Sequence, residues 1–223
     1  MARYGEYMAR AGGSSLPLIA LIGGNSGTGK TTIARVIAGR MNGTLQLLDD
    51  LRLAAQSITS TATHPDLHPF DDPDYLHLRS PDEICAGLIG IGKALAPGIE
   101  KVVANHLHVD LPLVLEGDAL SPRVASQSSF DGRDRGDSVA AVFVIEREES
   151  ELMRSLIARD RGFGELPANL QQRFARASGL YGTWLAEAAR QLAVPIVPAQ
   201  PRASLATRVD EALTAQLEAK RRA

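Results

Sequence analysis

With 223 residues, 44% of them hydrophobic, the chain can bury a substantial core, which excludes a disordered protein. A net charge of −2, with no long basic run before Lys220-Arg221-Arg222, excludes strong electrostatic binding to nucleic acid. The single cysteine, Cys85, can form neither an internal disulfide nor a thiolate metal cluster, and no apolar stretch reaches the length of a membrane span.

Residues Met1–Ser15 read as a flexible polar extension. They are not read as a signal peptide, because the apolar run that follows is short and leads into a loop the mature protein needs. That run, Leu16–Ile22, is a buried strand feeding Gly23-Gly24-Asn25-Ser26-Gly27-Thr28-Gly29-Lys30-Thr31-Thr32. Gly24, Gly29, Lys30 and Thr31 occupy the fixed positions of G-x-x-x-x-G-K-[ST]. Glycines at this spacing let successive backbone N–H groups turn inward around phosphate oxygens, and the next helix adds its positive N-terminus. Residues Gly24 to Thr32 are therefore the expected nucleotide cradle, with Lys30 reaching the outer phosphates and the Thr31 hydroxyl ligating Mg²⁺.

A helix with Ile33, Val36, Ile37 and Met41 on one face follows, closed near Gly43. Leu45–Leu48 reads as a second strand ending at Asp49-Asp50. The segment from Ile58 to Leu78, rich in His, Pro and Asp, reads as an irregular excursion. Ser80-Pro81-Asp82-Glu83 starts a helix that is expected to end near Ala96, because Pro97-Gly98 should break it before Ile99–Leu107.

Leu113–Leu115 is a third strand, ending at Glu116-Gly117-Asp118, and Gln127–Asp137 reads as a charged loop. Val139–Ile145 and Val194–Val197 are the fourth and fifth strands. Between them lie a helix over Glu148–Ala158, a break at Arg161–Gly164, and a long helix striped by Leu170, Phe174, Ala177, Tyr181, Trp184, Ala188 and Leu192. A last helix carries Leu205, Val209, Leu213 and Leu217. Strands alternating with helices imply an α/β fold: a five-stranded, mainly parallel P-loop NTPase sheet with helices on both faces. One domain over 16–223 is expected, with a substrate-side excursion at about 55–110 and a small lid at about 150–170.

Ligands of open parallel sheets bind beyond the carboxyl ends of the strands. That rule gathers the phosphate loop, Asp49-Asp50 and Glu116-Gly117-Asp118 around one crevice. Asp49 or Asp50 can orient and deprotonate a hydroxyl, or cap the helix after the strand, and Glu116 can hold Mg²⁺. Arg159 and Arg161 beside the break are candidates to close on a transferring phosphoryl group, while Arg154 can equally pair with Glu148, Glu149 or Glu151. No cysteine or compact acidic partner completes a zinc set around the histidines, and His106 is a substrate-site candidate.

Ile19–Ala34, Asp49-Asp50-Leu51-Arg52, and the run from Pro97-Gly98-Ile99-Glu100 through His106-Leu107 to Leu113–Asp118 resemble the 2-phosphoglycerate kinase-like P-loop kinases. The Ala140–Glu146 strand, the Arg159 region and Trp184-Leu185-Ala186-Glu187 are similar as well. The resemblance implies an adenylate-kinase-like sheet and phosphorylation of a small hydroxyl-bearing acid by ATP with Mg²⁺. It puts Lys30 and Thr31 at the phosphate and Mg²⁺ positions, and Asp49 and Arg52 at the acidic and basic positions after the second strand, where Asp49 would take the hydroxyl proton and Arg52 would hold an anionic acceptor group. Asp50 and Asp118 are further acceptor-side candidates. An antibiotic phosphotransferase keeps the same residues with another acceptor. A nucleotide switch is a third reading, against which stands the lack of an Asn-Lys-x-Asp guanine motif. A cytoplasmic monomer or homodimer is expected.

Overall fold

Strand β1 (Ile19–Gly24) is buried along its whole length and lies at the middle of the sheet. The computed structural model describes residues 16–72, 74–159 and 162–222, so the expected extension at 1–15 and Arg161 lie outside the described residues. Five parallel strands run in the order β2 (Thr44–Leu47), β3 (Leu113–Glu116), β1, β6 (Val139–Ile145), β7 (Ile196–Pro198). Residues alternate between two cores, as the pleat demands. Ile19, Leu21, Leu113, Leu115 and Phe143 face one core; Ala20, Ile22, Val114, Val142 and Val144 face the other.

The first core is covered by α4 (Pro81–Val109) and α7 (Ala168–Gln191), the second by α1 (Lys30–Met41) and α8 (Leu205–Arg222). The chain leaves β1 for one edge of the sheet, returns through β3, and then crosses to β6 and β7. The order therefore reverses at β1, and the crevice at its carboxyl end is where a ligand belongs.

Three sequence expectations change. Helix α4 is continuous through Pro97, where a break was expected. Ile84, Ile91, Leu95, Ile99 and Val103 form one buried stripe across the proline, and that burial outweighs the roughly 3 kcal/mol a helix-interior proline costs. Pro97 and Lys93 are both exposed, so water can satisfy the carbonyl the proline leaves free. The expected charged loop at 127–137 contains an antiparallel hairpin, β4 (Ser129–Phe130) and β5 (Arg133–Asp134), turned by Asp131 and Gly132 with positive φ. Buried Arg135 anchors it, donating to the carbonyls of Ala125, Gln127 and Val139.

The third change lies at the site. The second strand ends at Leu47, and Leu48 begins α2 (Leu48–Ser57). Asp49 and Asp50 thus sit in the first turn of a helix, where their charge complements its dipole, and neither is its N-cap. Leu48 is fully buried against Gly117, where an added Cβ would lie 2.6 Å from the Leu48 Cβ. Among the described residues no helix is long and apolar enough to cross a membrane.

Candidate active site

The phosphate loop is built by backbone geometry. Gly24, Gly27 and Gly29 have φ of 140°, 82° and 85°, which side chains rarely tolerate. Gly29 is the N-cap of α1 and makes no side-chain cap, so the first N–H groups of that helix face the loop. Lys30 is fully buried; its Nζ donates to the Asn25 carbonyl at 2.8 Å and pairs with Asp118 Oδ1 at 2.6 Å. The Thr28 hydroxyl also donates to the Asn25 carbonyl, at 3.0 Å.

Asn25 itself is a tether whose side chain is fully used inside the protein. Its Nδ2 donates to the carbonyls of Glu146 (2.8 Å) and Ser178 (3.0 Å), and its Oδ1 accepts from the Glu146 N–H (3.2 Å). These bonds fasten the loop to the end of β6 and to α7. The approach is possible because position 182 is glycine: a Cβ there would stand 2.8 Å from the Glu146 carbonyl. Buried Tyr181 donates from its hydroxyl to the Asp118 carbonyl at 2.6 Å and stacks on Trp184. Burial pushes its phenol well above the usual range, so it stays a donor.

Two carboxylates at the end of β3 differ in character. Glu116 is 5% exposed and accepts from the Thr31 hydroxyl at 3.0 Å. Burial raises its pKa, against the opposing pull of Lys30. Asp118 is also desolvated, but Lys30, together with the Ser26 hydroxyl and the charge of Arg159, outweighs that and holds it below the usual carboxylate range. Thr31 and Glu116 supply the hard oxygen donors that Mg²⁺ prefers. Among the described residues no group of three His, Cys, Asp or Glu forms a ready-made metal cage. A Mg²⁺ at this pair would complete its shell with water and phosphate oxygens.

A cavity lies on each side of the loop. One, of about 450 Å³, is lined by Gly27, Gly29, Thr31, Thr32, Arg159 and Arg202, among others. The other, of about 370 Å³, is lined by Ser26, Asp118, Asp49, Arg52 and an apolar wall. Asp49 is 63% exposed and stands 4.0 Å from Arg52 Nη2, and the buried Arg52 Nε has no hydrogen-bond partner. Asp50 is exposed and does not line either cavity. Arg159 lies just beyond α6 (Glu149–Ile157), whereas Arg154 is engaged with Glu151 at 2.8 Å on the surface.

His106 is not brought to this site. It lies in the last turn of α4, its Nδ1 3.1 Å from the Leu111 carbonyl, at the end of the sheet where β3 begins. The phosphate loop stands at the opposite, carboxyl end of the parallel strands. The sequence reading missed Arg202, on a short helical turn after β7, which donates to the carbonyls of Thr28 and Gly27 and to Ser155 Oγ. It missed Glu146, whose carboxylate accepts from the N–H groups of Arg147 and Glu148 and turns the chain into α6. It also missed Arg173, which ties α7 to the carbonyls of Leu76 and His77 in the excursion.

Fold and site together define a P-loop NTPase of adenylate-kinase-like topology. Within that class the sequence is similar to 2-phosphoglycerate kinases. Over 112 residues, 48% of its length, it is 28% identical to that of Methanopyrus kandleri and 30% identical to that of Methanothermobacter thermautotrophicus. The match spans 34% and 37% of those proteins, so the chain covers little more than a third of the curated relatives. No family model matches the chain. In structure it is similar to a shikimate kinase from Acinetobacter baumannii, solved with shikimate, with a TM-score of 0.51 and 17% identity over 93% of this chain and 96% of that one. That likeness extends the shared fold to nearly the whole molecule.

Proposed function

We propose that this protein is an ATP- and Mg²⁺-dependent kinase that phosphorylates a hydroxyl of a small molecule. The observation that carries the reading is the placement of two cavities on opposite sides of one phosphate loop. The Arg159–Arg202 side suits the nucleotide and the Asp49–Arg52 side suits the acceptor. The acceptor hydroxyl oxygen bonds to the γ-phosphorus as the bond to the β–γ bridging oxygen breaks, and its proton passes to Asp49. The buried Lys30 ammonium and the Arg159 guanidinium place positive charge where the transferring group gathers negative charge. Mg²⁺ held at Thr31 and Glu116 would add charge neutralisation on the phosphate oxygens. Arg52, in the lining of the same cavity, anchors the acceptor through its guanidinium.

The sequence likeness makes 2-phosphoglycerate the first acceptor to test. The experiment is acceptor-dependent ADP release from Mg-ATP by a panel of hydroxyl compounds. Stimulation by an acceptor is expected, together with its loss in a folded Lys30→Ala variant. Slow hydrolysis indifferent to every acceptor would replace the kinase reading with that of a nucleotide switch.

A further inference from the structure

The acceptor cavity offers no surplus of positive charge to a small, multiply charged acid. Its described lining carries three carboxylates, Asp49, Asp72 and Asp118, against one guanidinium, Arg52. Lys30 pairs with Asp118 at 2.6 Å and donates to a loop carbonyl, so those two charges offset one another, and Arg173 beside the wall is taken up by the carbonyls of Leu76 and His77. Arg52 stands 4.0 Å from Asp49, so that guanidinium and that carboxylate offset one another. A phosphate and a carboxylate on one small molecule would bring about three negative charges to a wall with no net positive charge to meet them.

Apart from Ser26, the rest of the wall is apolar and carries three aromatic rings. Phe70 and Tyr75 meet edge to face with ring centroids 4.9 Å apart. Phe174 lines the same cavity and contacts Phe163 across 5.7 Å, and Leu88 and Ile91 of α4 complete the floor. Aromatic and aliphatic walls of this kind gain most from a ligand with a flat or apolar body, while a few placed polar groups orient it.

From this we infer that the acceptor is an uncharged, ring-bearing alcohol. Its ring packs against Phe70, Tyr75 and Phe174, one oxygen accepts from the Arg52 guanidinium, and the reactive hydroxyl lies toward Asp49 and Asp118. The inference rests on the kinase reading above and narrows its acceptor.

The test compares kcat/KM, by ADP release with Mg-ATP, for a panel of uncharged aromatic and alicyclic alcohols and a panel of phosphorylated and dicarboxylic hydroxy acids that includes 2- and 3-phosphoglycerate. The best uncharged ring alcohol is expected to exceed the best anionic acid at least tenfold. Phe70→Ala should raise KM for the ring alcohol about tenfold with little change in kcat. Asp72→Asn should improve the anionic acids severalfold while leaving the ring alcohol within twofold. A higher kcat/KM for 2-phosphoglycerate, or an Asp72→Asn variant that treats both panels alike, would overturn the inference and leave the kinase reading standing. Failure of both panels to stimulate ADP release would overturn the two together.

Discussion

At the scale of single residues, the end of β3 shows how environment assigns roles to two carboxylates two positions apart. Asp118 faces Lys30 and stays ionised, whereas Glu116 is buried and its pKa rises. The sign has consequences for stability. A carboxyl whose folded pKa lies above its unfolded one contributes stability below the unfolded pKa and loses it as pH rises through the folded one. At neutral pH Glu116 therefore costs stability, as functional sites often do. Glu116→Gln, which can still accept from Thr31, is expected to raise Tm at pH 7, with the gain shrinking as pH falls toward the ordinary glutamate range and absent below it. It should also lower turnover and flatten the acid limb of the pH–rate profile. Thermal melts and rates across pH 4–8 check this; a lowered Tm at pH 7 would contradict it. For Asp49, removing a general base typically costs 10²–10⁴ in rate. Asp49→Asn should lose about that much in kcat with ATP affinity nearly unchanged, measured by steady-state kinetics and nucleotide titration; an unchanged kcat would remove Asp49 from the mechanism.

At the scale of elements, helix α7 is set by Gly182 and the Asn25 tether. Gly182→Ala would gain the usual helix preference of alanine over glycine, about 1 kcal/mol. Its Cβ, however, would meet the Glu146 carbonyl at 2.8 Å and the Asn25 side chain at 3.0 Å, neither of which can yield without moving β6 or the phosphate loop. A net loss of about 1–3 kcal/mol and weaker nucleotide binding are expected. Gly39→Ala in α1 is the control. It is exposed, with nothing within 4 Å of an added Cβ, and should gain about 0.5–1 kcal/mol. Chemical denaturation of both variants reads the contrast, and equal shifts would show that α7 docks less tightly than these distances imply.

The same elements show what was legible beforehand. The cradle from Gly24 to Thr32 could be read because its chemistry is local: glycines and a lysine at fixed spacing between a strand and a helix. The strands could be read because burial on both faces makes them continuously apolar. Pro97 misled because local preference yielded to an apolar stripe that only tertiary packing rewards. Arg202 reaches Thr28 across 174 positions and Asn25 reaches Ser178 across 153, separations that carry no periodic signal. His106 misled because it precedes the right strand but sits at its wrong end.

Over the whole molecule, the reversal of strand order at β1 leaves one crevice, and the phosphate loop divides it in two. Arg202 and Arg159 stand on one side, Asp49 and Arg52 on the other, and Arg173 links α7 to the excursion that walls the acceptor side. Such an arrangement suits the group transfer proposed above, since it would bring a phosphoryl donor and an acceptor to the same residues. The most direct measurement is a single-turnover reaction with γ-labelled ATP, Mg²⁺ and the best acceptor from the panels, followed by separation of the products. Label recovered in the phosphorylated acceptor is the predicted result. Label recovered only in inorganic phosphate, with or without acceptor, would contradict the account.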